Sequence, residues 1–259
     1  MNFILNQLPN RTSKPRSNGI TMVMDKGLSL RESEDFLSMS DGIVDFVKLG
    51  FGTSYLTPNL PAKIKLYKEA GMKLYMGGTF FEAFYVRNQL EEYIAACMEY
   101  GFEYVEISDG SIDIPRKRKC ELITQLAQNF TVLSEIGSKD GEKIYPPYKW
   151  IEFMQQELDA GAMYLIAEAR EAGNVGIYRT SGEVREGLIE EILTKINQDK
   201  IIFEAPQKSQ QVWFINKMGS NVNLGNIAPY DAIPLETLRL GLRADTFTTF
   251  LNGEAWLYV

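Results

Sequence analysis

"VEISDGS" (residues 105–111) shows how a buried strand of this protein ends. Its β-branched run finishes in Glu106, and Ser108, Asp109 and a glycine follow at once. Similar apolar runs with polar ends recur along the chain at a spacing of roughly 25–35 residues, which is typical of a strand, a crossover helix and their loops. The runs lie at 20–25, 44–50, 72–78, 104–110, 130–137, 163–170, 200–206 and 221–227.

Amphipathic segments separate these runs and predict helices. In the segments 83–100, 147–160 and 183–197, apolar residues recur three or four positions apart, as on the buried face of a helix. Alternation of strands with helices predicts an α/β fold, a single (β/α)8 TIM barrel. We assign residues 19–259 to this barrel domain and the polar, slightly basic residues 1–18 to an N-terminal arm.

Composition excludes several classes of function. The chain has 259 residues, a formal net charge of −7, two cysteines and no histidine. The acidic balance argues against a nucleic-acid partner, which requires a cationic surface. Without histidine, Ser-His-Asp and Cys-His catalysis are excluded, so acid–base chemistry must come from other side chains or a metal-bound water. No signal peptide and no membrane-spanning run is visible, so we expect a cytoplasmic protein without a membrane partner.

The polar strand ends would meet, because the C-terminal ends of barrel strands converge on one mouth. Side chains alternate along a strand, so Glu106 should point the same way as Ser108, and Glu168 the same way as Arg170. Converging carboxylates repel one another unless cations or a divalent metal ion lie among them. Oxygen ligands without histidine or cysteine favour Mg²⁺. We therefore predict a magnesium site whose ligands are Glu106, Glu135 and Glu168.

Two alternatives to this ligand set stay open. Asp25, Asp109 or Glu204 could replace any of the three ligands, because each also lies at a predicted strand end. A salt bridge to Lys48, Lys139 or Arg170 is the simpler interpretation of each carboxylate taken singly.

Cationic side chains at the same strand ends suit an anionic substrate. Lys26, Lys48, Lys139 and Arg170 would neutralise phosphate or carboxylate groups. The other polar side chains at the strand ends are predicted to bind substrate together with Lys26: Thr79, Ser108, Asp109, Ser111 and Asn223.

Several motifs resemble those of the phosphosulfolactate synthase family, in the same order, from about residue 20 to about residue 247. The most specific are "EISDGS" (106–111) and "FEAPQKSQQ" (203–211), and others are "DFVKLGFGTS" (45–54), "GGTFFE" (77–82) and "SEIGSKD" (134–140). The resemblance implies a (β/α)8 barrel and a carbon–sulfur lyase that adds sulfite to phosphoenolpyruvate with Mg²⁺. The product would be (2R)-phospho-3-sulfolactate, an intermediate of one route to coenzyme M. The resemblance also implies a homo-oligomer, with a trimer as the expected form, and identifies Lys139 as the proton donor.

The residues are consistent with this chemistry. Sulfite is a good nucleophile that needs no general base, so the lack of histidine is no obstacle. Attack on the methylene carbon of phosphoenolpyruvate drives negative charge onto the substrate carboxylate, where a metal ion and fixed cations stabilise it. A lysine must then protonate the carbon that bears the phosphate. We predict Lys139 as this acid and Lys48 and Arg170 as clamps that hold the two anions together.

Two other functions remain in consideration. One is a Schiff-base lyase on the same barrel, with Lys48 or Lys139 as the nucleophile. The other is a non-catalytic relative with a binding or stress-related role, because plant heat-stress proteins are similar to this family. Loss of the charged strand ends would favour the non-catalytic role, whereas the sequence retains them.

Overall fold

The computed structural model describes residues 3–40, 42–137, 145–169 and 172–251. Eight parallel strands lie in the order β3-β2-β1-β8-β7-β6-β5-β4, so the predicted single (β/α)8 barrel is confirmed. Neighbours in this order pair through backbone hydrogen bonds, whereas β3 and β4 meet at a seam without such pairing. The strands are β1 (Thr21–Asp25), β2 (Phe46–Leu49), β3 (Lys73–Met76), β4 (Tyr104–Ile107), β5 (Thr131–Ile136), β6 (Tyr164–Ala167), β7 (Ile201–Glu204) and β8 (Leu224–Ile227).

Helices follow the strands and pack on the outside of the barrel. The segment 83–100 is not one helix, because α3 ends at Tyr85 and α4 begins at Leu90 after a turn. None of the helices in the described ranges is long and apolar enough to span a lipid bilayer. The helices are α1 (Leu30–Ser40), α2 (Leu60–Glu69), α3 (Gly78–Tyr85), α4 (Leu90–Glu99), α5 (Arg116–Leu126), α6 (Pro147–Asp159), α7 (Glu186–Leu193), α8 (Lys208–Met218) and α9 (Ala232–Arg239).

The barrel interior is filled by large apolar side chains near the N-terminal ends of the strands. The Phe46 ring lies at its centre, with centroids 6.1 Å from Tyr75, 5.2 Å from Tyr104 and 6.1 Å from Tyr164. All three contacts are edge-to-face, the arrangement that aromatic quadrupoles favour. This packing closes the lower half of the barrel, so a ligand can enter only at the C-terminal mouth.

The N-terminal arm lies against the closed end of the barrel. Arg11 forms a salt bridge of 2.9 Å with Glu236, and the buried Arg16 forms one of 2.9 Å with Asp45, just before β2. The arm is therefore on the opposite side of the molecule from the mouth. Its boundary at residue 18 stays a prediction.

Candidate active site

Strand alternation places the charged residues directly above the apolar filling of the barrel. An interior apolar residue is followed two positions later by a charged one on the same face of the strand. The pairs are Phe46 and Lys48, Tyr104 and Glu106, Leu133 and Glu135, Ile166 and Glu168, and Ile202 and Glu204. The sequence thus builds an apolar floor and a charged layer from the same five strands.

A cavity of about 440 Å³ opens above this layer. Its volume is in the range of small-molecule binding sites. The residues that line it are Met24, Lys48, Phe51, Gly77, Thr79, Glu135, Glu168, Ala172, Asn174, Glu204 and Asn226. Four of the predicted site residues that the structure describes therefore meet in one space: Lys48, Glu135, Glu168 and, from the start of α3, Thr79.

Lys48 occupies the centre of the carboxylate cluster. Its ammonium nitrogen lies 2.9 Å from Oε1 of Glu106, 3.5 Å from Oε2 of Glu135 and 3.5 Å from Oε1 of Glu204. Burial alone would lower the pKa of Lys48, but the three carboxylates outweigh it and raise the pKa well above its ordinary value. Lys48 is therefore a permanent cation at the base of the cavity.

Glu106 lies behind Lys48 and is fully buried. Its Oε1 accepts a hydrogen bond of 2.6 Å from the backbone N–H of Gly78, in addition to the contact with Lys48. Burial raises the pKa of Glu106 to about 7, although Lys48 opposes the shift. Because Glu106 is not among the residues that line the cavity, it supports Lys48 from below.

Ser108 connects two carboxylates, one of which sequence reasoning missed. Its hydroxyl oxygen lies 2.7 Å from Oε1 of Glu82 and 2.8 Å from Oε1 of Glu135. Ser111 joins through its backbone N–H, which donates to Glu82 at 3.1 Å. Glu82 is on α3, so a search limited to strand ends does not identify it. Its position in the family motif "GGTFFE" is the sequence feature that points to it.

Asp109 does not line the cavity. Its carboxylate accepts a hydrogen bond of 2.8 Å from the fully buried Lys119 and lies 3.5 Å from Arg116, both on α5. The structure thus places Asp109 in an ion pair behind the barrel wall, and its predicted contact with substrate is not supported by this position.

Asp25, an alternative metal ligand, is also engaged elsewhere. It is fully buried, and its Oδ2 lies 2.6 Å from the ammonium of Lys63 and 2.8 Å from the hydroxyl of Tyr67, both on α2. These contacts attach β1 to α2 and make Asp25 a structural residue.

The prediction that Asn223 ends the eighth strand is wrong. Asn223 precedes β8, and its amide donates to the carbonyl oxygens of Asp199 and Ile201 and accepts from the N–H of Ile20. These partners lie at the N-terminal ends of the strands, so Asn223 is at the closed end of the barrel. Asn226, three residues further on, lines the cavity instead.

The remaining predicted residues lie at the rim or outside the described ranges. Lys26 is exposed, and its ammonium lies 5.8 Å from the centroid of the Phe51 ring at the cavity edge. Lys139 and Arg170 fall outside the described residues, so their predicted roles stay predictions.

Comparison with known proteins agrees with the fold and identifies the family. The crystal structure of 3-hexulose-6-phosphate synthase aligns with a TM-score of 0.54 at 14% identity, covering 85% of this chain and 99% of that one. This likeness shows the barrel fold alone. A plant protein, HEAT-STRESS-ASSOCIATED 32 of Arabidopsis thaliana, is 22% identical over 83% of both chains.

Stronger matches come from enzymes. Phosphosulfolactate synthase of Bacillus subtilis is 43% identical over 95% of this chain and 99% of its own length. The enzyme of the same name from Methanocaldococcus jannaschii is 45% identical over 88% of this chain and 94% of its own length. The sequence profile of (2R)-phospho-3-sulfolactate synthase (ComA) matches residues 9–245. The chain is therefore an enzyme and belongs to the phosphosulfolactate synthase family.

Proposed function

We propose that this enzyme adds sulfite to phosphoenolpyruvate to form (2R)-phospho-3-sulfolactate, with Mg²⁺ as cofactor. Membership of the phosphosulfolactate synthase family supports the reaction. The observation that carries the proposal is the position of Lys48, a permanent cation surrounded by three carboxylates at the base of a small-molecule cavity. A divalent cation among these carboxylates would let the site hold anions without a histidine.

The donors of the cavity fit the chemistry of magnesium. Glu135, Glu168 and Glu204 line it together with Asn226, so every candidate ligand is an oxygen atom. Over the described ranges, no group of three or more histidine, cysteine or acidic residues forms a preassembled metal cluster. That arrangement is not required, because Mg²⁺ usually binds one or two carboxylates and completes its shell with water and substrate oxygens.

We propose Glu135 and Glu168 as magnesium ligands and replace Glu106 by Glu204 in the ligand set. Glu106 is less suited, because it does not line the cavity and its Oε1 is engaged by Gly78 and Lys48. When bound, the ion supplies positive charge opposite the charge that develops on the substrate carboxylate.

Lys48 has a direct electrostatic role in the reaction. The sulfur lone pair of sulfite forms the new bond to the methylene carbon of phosphoenolpyruvate, and the electron pair of the carbon–carbon double bond moves toward the substrate carboxylate. The ammonium of Lys48 stabilises that charge without transferring a proton, since its pKa is raised well above its ordinary value. A separate acid must then protonate the carbon that bears the phosphate, and Lys139 stays the predicted donor.

The electrostatics of Lys48 argue against a Schiff-base lyase at this residue. Imine formation requires a neutral amine, whereas the three carboxylates hold Lys48 in its charged form. Borohydride reduction in the presence of substrate, followed by mass spectrometry of the protein, should detect no adduct. The charged residues of the cavity likewise argue against a non-catalytic role.

The decisive experiment is incubation with phosphoenolpyruvate, sulfite and Mg²⁺, followed by NMR detection of a product with a new carbon–sulfur bond. We expect product with Mg²⁺, loss of product after chelation with EDTA, and recovery when Mg²⁺ is restored. Absence of product from folded protein with Mg²⁺ would contradict the reaction, and full turnover after chelation would contradict the cofactor.

The homo-oligomer and the cytoplasmic location are further parts of this proposal. The two cysteines, Cys97 and Cys120, are both free, which is consistent with a reducing compartment. Light scattering coupled to gel filtration tests the expected trimer, since a monomer at working concentration would contradict it.

A further inference from the structure

The segment 172–185 between β6 and α7 is held in place by the motif "FEAPQKSQQ", whose glutamines the proposed chemistry does not use. Gln210 on α8 is almost fully buried. Its side-chain amide donates to the carbonyl oxygen of Gly173 at 2.7 Å and to that of Gly182 at 3.0 Å. Gln207 donates to the carbonyl oxygen of Ala172 at 2.6 Å. The two glutamines therefore hold both ends of one loop.

Close packing shows that this attachment is specific. Gly173 has a φ of +64°, and a Cβ at this position would lie 2.6 Å from the amide nitrogen of Gln210. A residue with a side chain would be strained in the backbone and would displace Gln210.

The same loop is also attached to two carboxylate residues of the cavity. The N–H of Ile177 donates to the carbonyl oxygen of Glu168 at 3.2 Å, and the buried hydroxyl of Tyr178 donates to the carbonyl oxygen of Glu204. The loop is thus fixed relative to the reacting centre from both sides.

Asn174 follows Gly173 in this loop and lines the cavity. It is half-buried, and among the residues that the structure describes its side-chain amide has no hydrogen-bond partner. A polar side chain on a firmly held loop, directed to a cavity and unused by the fold, is available to a ligand. The ammonium of Lys48 is shared with three carboxylates, so an additional neutral N–H donor would strengthen the hold on the oxygens of an anionic substrate.

We propose that Asn174 is a substrate-binding residue whose amide donates to an oxyanion oxygen, and that Gln210 is the positioning residue that holds it there. The inference rests on the proposed function, since the oxyanion is either the phosphoryl group of phosphoenolpyruvate or sulfite. Both groups present tetrahedrally or pyramidally arranged oxygens that accept hydrogen bonds.

Steady-state kinetics test the binding role, with each substrate varied while the other is saturating. Asn174→Ala should raise KM for one substrate about tenfold or more while kcat changes little, because a hydrogen bond to a charged group is lost. Asn174→Asp should raise the same KM further, since a carboxylate repels the anion. The substrate whose KM moves identifies the group bound. Unchanged KM for both substrates in both variants would overturn the proposal.

The positioning role has a matched control on the same helix. Gln210→Met should raise the same KM that Asn174→Ala raises. The KM of the double variant should be no higher than that of Asn174→Ala alone, because both substitutions remove the same hydrogen bond between Asn174 and the substrate. Gln211→Met removes a similarly buried amide that donates to Ala205 rather than to the loop, and it should leave KM unchanged. If Gln210→Met does not fold, Gln207→Ala at the surface releases the loop from one end and should raise the same KM to a smaller extent. Additive effects, or equal effects at Gln210 and Gln211, would remove Gln210 from the proposal.

Calorimetric titration of phosphoenolpyruvate and of sulfite separates this inference from the proposed function. A folded wild type that forms no product overturns the reaction. Even if no product forms, an affinity for either anion that is about tenfold weaker in Asn174→Ala than in the wild type supports the binding role of Asn174. Equal affinities of the wild type and Asn174→Ala for both anions would overturn that role.

Discussion

The ammonium of Lys48 on β2 lies 2.9 Å from Oε1 of Glu106 on β4, although these two strands are not neighbours in the sheet. Both side chains are buried, so water contributes little screening to the pair. Lys48 is therefore the cation at the base of the cavity and also the shared ion-pair partner of Glu106, Glu135 and Glu204.

Replacing Lys48 should therefore cost stability as well as activity. Lys48→Met leaves Glu106, Glu135 and Glu204 without their shared cation, and we expect a loss of about 3–5 kcal/mol in the free energy of unfolding and no detectable product. Urea unfolding and the product assay measure the two effects. Lys65→Met is the control, because Lys65 is exposed and its pair with Glu69 contributes less than about 1 kcal/mol. Equal stability of the two variants would contradict the buried role of Lys48.

The raised pKa of Glu106 gives stability a defined dependence on pH. Burial raises this pKa from 4.5 to about 7, with Glu135 adding to the shift and Lys48 opposing it. A folded-state pKa above the unfolded value means that the native protein binds the proton of Glu106 more tightly than the unfolded chain does. The stabilisation that results is therefore full below about pH 4.5 and is lost as pH rises through about 7.

Urea unfolding of the wild type and of Glu106→Gln between about pH 5 and about pH 8 checks this dependence. The stability of the wild type relative to the variant should fall as pH rises, because only the wild type carries the titrating carboxyl group. The ionisable groups that interact with Glu106 are Lys48, which lowers its pKa, Glu135, which raises it, and the buried Tyr75 and Tyr93. Parallel pH profiles for the two proteins would show that Glu106 titrates normally.

Gly78 should not tolerate a side chain. A Cβ there would lie 2.5 Å from Cβ of Ser108 and 2.7 Å from Oε1 of Glu106, so Gly78→Ala should destabilise the protein by about 1–3 kcal/mol and disturb the cavity. Gly187→Ala in the first turn of α7 is the matched control, since nothing lies within 4 Å of its added Cβ and alanine should stabilise the helix slightly. Thermal unfolding distinguishes the opposite signs, and a neutral Gly78→Ala would contradict the close approach.

Lys119 should be a structural cation of the barrel wall. Its buried ammonium contacts Asp109 at 2.8 Å, Glu157 at 3.1 Å and the carbonyl oxygen of Glu135 at 2.6 Å. Lys119→Met should cost about 3–5 kcal/mol, because two carboxylates lose a buried partner. Arg118→Met on the exposed side of α5 is the control and should change the free energy of unfolding by less than about 1 kcal/mol. Denaturant unfolding that gives similar midpoints for both variants would show that Lys119 is dispensable.

Much of the charged layer could be predicted from sequence, because strand periodicity fixes which residues share a face. Phe46 and Lys48 are two positions apart, as are Tyr104 and Glu106, and period two places both charged residues above the apolar floor. Period two does not fix how high each strand lies in the barrel. Glu106 is therefore below the cavity and Glu204 lines it, a difference that depends on the stagger of the strands around the barrel.

The predictions for Asn223 and Asp109, which the structure does not support, failed for local physical reasons. The run 221–227 contains asparagines at 221, 223 and 226, and nothing in the pattern marks Leu224 as the first residue of β8. Asp109 follows a strand as expected, but its partner Lys119 comes from a helix whose orientation toward the strand cannot be read from spacing. Contacts between elements that are distant in sequence decide such residues.

The seam between β3 and β4 gives the charged layer a mechanical role. Backbone hydrogen bonds do not join these two strands, yet Glu106 on β4 reaches the N–H of Gly78 just after β3 and the ammonium of Lys48 on β2. Side-chain contacts thus connect the two sides of the seam, where backbone hydrogen bonds between β3 and β4 are missing. Neutralising either Lys48 or Glu106 would loosen this connection, so amide hydrogens of β3 and β4 should exchange faster with solvent in such variants than those of the fully paired β6 and β7.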